Sequence, residues 1–138
     1  NYHLLVSETV QQNNCIRQHE TEYYAQIGAE FAQQPPQFQL PKSATVRFIA
    51  GNGQREEVTR TEFDAAGNPT LQIAPDGTRT VWVYYPAKGE VTRLDDDCYG
   101  CPADPYGFVR YVKSKTVTPG VASPIGAYDD APGHEVIY

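Results

Sequence analysis

From Ala44 onward, apolar and polar residues alternate in short runs, and Gly, Asn, Asp and Pro separate the runs. Alternation with a period of two marks half-buried strands, because successive side chains point to opposite faces. Thr45-Val46-Arg47-Phe48-Ile49 predicts one strand. Gly51-Asn52-Gly53 predicts a tight turn of residues that tolerate positive φ, and Arg55 to Phe63 the returning strand. Asp64 to Asn68 is the next turn, and Pro69 to Ala74 a short strand with Leu71 and Ile73 on one face. Pro75-Asp76-Gly77-Thr78 turns the chain again. Arg79 to Tyr85 is apolar on both faces, so it predicts a central strand covered on each side. Pro86-Ala87-Lys88-Gly89 is a further turn, and Glu90 to Leu94 returns from it.

The flanks are less regular. Tyr2 to Gln11 reads as a strand and Asn13-Asn14 as a turn. Cys15 to Ile27 continues as a second strand, with a short helix over Thr21 to Phe31 as the competing assignment. Gln33-Gln34-Pro35-Pro36-Gln37 predicts an extended linker, because paired prolines fix φ and donate no hydrogen bond. Asp95 to Tyr106 reads as the longest loop, Phe108 to Thr118 as a long alternating strand and Pro119 to Gly133 as loose chain. His134 to Tyr138 begins a last strand. The organisation expected is therefore N-terminal strands and a Pro-rich linker over 1–43, hairpins over 44–94, and a Cys/Asp-rich loop with C-terminal strands over 95–138.

Composition supports an all-β class. Eleven Gly and eleven Pro are scattered through 138 residues, a density of breakers that a helical bundle does not tolerate. The formal charge of −6 argues against nucleic acid as a partner, since phosphate-tracking surfaces need clustered Lys and Arg. No apolar run approaches the roughly 18 residues of a membrane span, so this segment is not expected to insert into a membrane. Met is absent, including at position 1, and the chain opens in strand-like sequence. The expectation is a piece cut from a longer polypeptide.

One pattern recurs. Phe63-Asp64-Ala65-Ala66-Gly67 and Tyr85-Pro86-Ala87-Lys88-Gly89 match as aromatic, three residues, glycine, 22 residues apart. Tyr128 to Gly133 is a looser copy. The aromatic is expected to close one strand on its neighbour. The aspartate is expected to cap turn N–H groups, and the glycine to take the left-handed position. Phe63, Asp64, Gly67, Asp76, Gly77, Tyr85 and Gly89 are thus the structural corner residues. A stack of such hairpins predicts a broad antiparallel sheet.

Phe63 to Leu71, followed by Ala74-Pro75-Asp76-Gly77-Thr78, resembles an RHS or YD repeat. The core of that repeat is Tyr-Asp, two variable residues and Gly, then a strand and a second Asp-Gly turn. Phe63 stands where Tyr is usual, and Pro86 replaces Asp in the second copy. Gln33 to Pro41, Trp82 to Ala87 and Cys101 to Phe108 extend the resemblance to the repeat region of bacterial insecticidal toxin-complex B and C components. It covers residues 30–118 best. The resemblance implies a curved sheet that spirals into a hollow shell enclosing a toxic C-terminal region, on a secreted bacterial protein. The partners it implies are the rest of the chain, the enclosed toxin and a pore-forming component. The family's self-cleaving aspartyl-protease motif has no match, so no catalytic residue is carried over and a non-catalytic role is expected.

Cys98 and Cys101, with Cys15 and His19, could grip zinc, or the pair could form a small disulfide. That is half of a zinc pattern, and a loop with two thiols is the simpler reading, so no cofactor or metal is assigned. Asp95-Asp96-Asp97 and Asp104 lack EF-hand spacing and read as a solvated acidic loop. His3, His19 and His134 stand apart, and no Gly-x-Ser-x-Gly elbow exists. Trp82, Tyr84 and Tyr106 could form a stacking platform for a glycan, the second functional reading; packing between strands is the simpler one.

Overall fold

A computed structural model of the chain describes residues 3–51, 53–94, 97–120 and 134–138, with the backbone alone at 92–94, 97–99 and 134. Ten strands occur among them: β1 (Ser7–Gln12), β2 (Cys15–Tyr23), β3 (Pro41–Ala50), β4 (Gly53–Phe63), β5 (Pro69–Ile73), β6 (Arg79–Tyr84), β7 (Glu90–Leu94), β8 (Asp97–Cys101), β9 (Val112–Thr118) and β10 (His134–Ile137). The protein is all-β. Eight strands form one antiparallel sheet in the order β1-β2-β3-β4-β5-β6-β9-β10, and β7 and β8 pair separately as a hairpin. Among the described residues the sheet is open: β1 pairs with β2 alone, and β10 with β9 alone.

Turn chemistry explains the meander. Between β5 and β6, the Ala74 N–H donates to the Thr78 carbonyl and the Gly77 N–H to the Ala74 carbonyl, each at 2.9 Å. Gly77 sits at φ 84°, the left-handed position that closes such a hairpin loop. Asn13 takes φ 54° in the β1–β2 turn, where Asn is one of the few side chains that accepts it. The third, looser repeat copy and Asn52 lie outside the described residues.

Several expectations are corrected. Residues 33–37 are not an extended linker: Phe31–Gln33 forms a 3-10 turn, and Phe38 N–H donates to the Pro35 carbonyl at 3.0 Å. The prolines fix φ at values that suit tight turns as well as extended chain, and here Phe38 is drawn in and buried. The strand expected over Cys15 to Ile27 stops at Tyr23, where its pairing with β3 ends, and the competing helix over 21–31 does not form. Asp95 to Tyr106 is not all loop, since Asp97–Cys101 is β8, paired with β7 from Glu90↔Cys101 to Leu94↔Asp97. Glu90–Leu94 therefore does not return along β6, whose second neighbour is β9. Finally, β6 is central but not covered on both sides. Val81 and Val83 on one face are 38% and 47% exposed. An apolar face needs a second layer to cover it, and none of the described residues supplies one.

The sheet is accordingly one layer thick. Among the described residues only Phe38, Tyr85 and Asp104 are buried, and no large side chain is fully enclosed. Cross-strand pairs hold the layer instead. Arg47 on β3 lies 2.6 Å from Glu20 on β2 and 2.7 Å from Glu56 on β4, a charge ladder on one face. On the other face Arg55 lies over Phe48 at 4.9 Å and Lys115 over Trp82 at 5.8 Å.

Candidate functional site

All three buried residues lie at one end of the sheet. That rim gathers the ends of β2, β4 and β6, the starts of β3, β5 and β9, the segment 24–40 and the base of the β7–β8 hairpin. Turn chemistry builds it. Asp64 Oδ1 accepts the N–H groups of Ala66 and Asn68, both at 2.9 Å, while Oδ2 accepts from the Asn68 side chain at 3.1 Å. The Gly67 N–H donates to the Asp64 carbonyl at 3.0 Å, with Gly67 at φ 85°. Phe63 closes the strand end by an edge-on contact with Tyr24, whose hydroxyl donates to the Thr61 carbonyl at 3.1 Å. At Pro86–Gly89 the backbone bond (Gly89 N–H to Pro86 carbonyl, 2.8 Å) and φ 75° are the same, but proline has no cap to offer. Tyr85 is buried there, its hydroxyl donating to the Tyr138 carbonyl at 2.8 Å.

A third corner was not visible as a repeat. Asp104 Oδ1 accepts the N–H groups of Tyr106 and Phe108 at 2.9 and 3.2 Å, and Gly107 N–H donates to the Asp104 carbonyl at 3.1 Å. The signal available was Asp-x-x-Gly; it was masked because Ala103, not an aromatic, precedes it. Asp104 is not part of a solvated acidic loop: its side chain is 1% exposed, with Arg110 Nε 2.6 Å from Oδ2. Burial works against its charge, but the two N–H groups and Arg110 outweigh it and hold the carboxyl below the ordinary carboxylate range. A carboxylate held ionised in this way is poorly poised to exchange protons near neutral pH. The Arg110 guanidinium also lies over the Tyr111 ring at 5.2 Å. The Asn68 side chain links the first corner to this region through the Val109 carbonyl at 2.6 Å.

The remaining candidates are dispersed. Asp76, at the opposite end, accepts the Thr78 N–H at 2.9 Å, which lowers its pKa. Trp82 and Tyr84 share a face of β6, with Lys115 over the Trp82 ring and the Tyr84 hydroxyl donating to the Pro69 carbonyl at 3.0 Å. Burial pushes the Tyr84 hydroxyl up in pKa, and the Asp64 charge adds to it. Tyr106 is 76% exposed on the third corner and tilts against Phe108. Cys15 is exposed at the far end of β2, whereas Cys101 sits at the hairpin base, so the structure does not bring the two thiols together. Among the described residues no group of three or more His, Cys, Asp or Glu side chains converges as metal ligands. The Cys98 side chain, Asp95, Asp96, the Asp97 side chain and the His134 side chain lie outside the described set. A groove of about 480 Å³ at the edge of the rim is lined mainly by Leu4, Val6, Tyr23, Ala25 and Ile27.

The chain matches no family model, no curated protein and no solved structure.

Proposed function

We propose that this chain is a non-catalytic wall segment of an RHS-like shell, part of a secreted bacterial protein that encloses a toxic C-terminal region for delivery. The observation that carries the reading is the sheet itself: eight strands in sequential antiparallel order, open at both edges, with almost nothing buried. A sheet one layer thick leaves both faces to be covered by something else, and its edge strands present unpaired N–H and C=O groups. A wall continued at its edges and facing contents on one side uses both properties. The asparagine, aspartate and glycine corners serve geometry rather than chemistry in this reading. Size-exclusion chromatography with light scattering, joined to hydrogen exchange, tests it. Concentration-dependent self-association is expected, with fast exchange in β1 and β10 when the chain is dilute and slower exchange once it associates; a stable monomer protected evenly from edge to edge overturns it.

Glycan binding has narrower support, the exposed Tyr106 and the half-exposed Trp82. Lys115 already occupies one side of the Trp82 ring. Glycan-array binding lost in Trp82→Ala, with the fold retained, would favour that reading over the wall; a blank array removes it.

A further inference from the structure

The corner at Asp104 repeats the corner at Asp64. In each, one carboxylate oxygen accepts the N–H groups two and four residues on, and a left-handed glycine three residues on donates back to the aspartate carbonyl. The strands around them correspond as well. Asp64 joins β4 to β5, which pair; the chain after Asp104 leads into β9, which pairs with β6. At the end of β4 stands Phe63, directly before Asp64. At the end of β6 stands the buried aromatic Tyr85, whose N–H donates to the Tyr111 carbonyl at 2.8 Å. Between Tyr85 and Asp104, however, come eighteen residues.

Those residues leave and return through a neck. The Asp104 N–H donates to the Ala87 carbonyl at 2.8 Å, and Gly89 lies so close to the returning chain that an added Cβ would sit 2.5 Å from the Ala103 nitrogen. Beyond the neck the chain pairs with itself as β7–β8 and shares no strand pairing with the main sheet. An ion pair between Glu90 and Lys113 of β9 ties it back. We infer that the β7–β8 hairpin is an insert within a corner that otherwise joins β6 straight to β9, and that the eight-stranded sheet forms without it. The hairpin is then an arm carried on the crowded rim. The inference stands whether or not the sheet is a shell wall.

The neck makes removal practicable. Residues bonded across it have Cα atoms about 5.5 Å apart, a span that one bridging residue covers at about 3.5 Å per step. Replacing Lys88–Ala103 by a single Gly is expected to keep one cooperative unfolding transition and the slow-exchanging amides of β6 and β9. Loss of that protection in a folded or unfolded product overturns the inference, unless the junction alone is at fault. Gly100→Val in the intact chain decides that case. Gly100 has φ 110° and no room for a side chain against the Glu90 carbonyl, so the substitution disrupts β7–β8 in place. Protection lost in the hairpin and kept in β6 and β9 supports the insert; protection lost in both together overturns it.

Discussion

The two ends of the sheet solve the same problem by different means. At the end where β1 turns into β2, β3 into β4 and β5 into β6, those three turns are short, and none of the described residues there is buried. At the other end, residues 24–40, the three glycine corners and the base of the hairpin crowd together and supply all three buried residues. The body of the sheet between them is held by cross-strand pairs on open faces. Stability is therefore expected to be concentrated along one rim, and the same substitution should cost different amounts at the two ends.

The largest contrast is between glycines of like conformation. Gly89 at φ 75° faces the Pro102–Ala103 backbone, whereas a Cβ at Gly51, φ 52°, meets nothing within 4 Å. Gly89→Ala is expected to lose on the order of 3 kcal/mol, strain plus displacement of backbone, and Gly51→Ala about 1 kcal/mol, strain alone. Urea unfolding midpoints measure both, and equal losses would break the comparison. Next come the caps. Asp64→Ala strips hydrogen bonds from two backbone N–H groups and the Asn68 amide and is expected to cost about 2 kcal/mol. Asp76→Ala, which strips one such backbone bond at the opposite end, should shift the midpoint less.

Acid sharpens the comparison further. Asp104 has a folded pKa below its unfolded value, so the unfolded chain binds the proton more readily. Its contribution is complete above the ordinary aspartate range and disappears as pH falls through the lower, folded value. Asp104→Asn should flatten that limb of a stability–pH curve while Asp104→Glu restores part of it; an unchanged limb would place the acid sensitivity elsewhere. The smallest effect is expected on the open face. Arg47→Met removes both ladder pairs, and salt at about 1 M, where screening acts over about 3 Å, should erase most of the difference from wild type.

Where a single residue type dictates geometry, the sequence was readable. Gly67, Gly77 and Gly89 announced their turns because only glycine takes those angles cheaply, and β3 through β6 followed from the runs between them. Burial was harder to read. The RTVWVY run is apolar on both faces, but what covers a face belongs to another part of the structure, and here Val81 and Val83 stay open. Pro35-Pro36 fits an extended chain and a compact turn alike, and only the pull of Phe38 decides between them. The rim was half legible. Its first two corners showed an aromatic followed by glycine at a fixed spacing. The third lost its aromatic to Tyr85, which folding returns to it across the neck. The pairing of β6 with β9 could not be seen, because local patterns favour the next strand in the chain over the one after a hairpin.

The order of strands has a consequence for how the molecule is made. Every pairing in the main sheet but one joins strands consecutive in the chain, and four of those connections are short, so closing them costs little entropy. A chain emerging residue by residue can add each strand to an edge already in place, from β1 towards β10. At Tyr85 the next strand to join the edge, β9, lies beyond the hairpin, and the Asp104 corner leads the chain back to it.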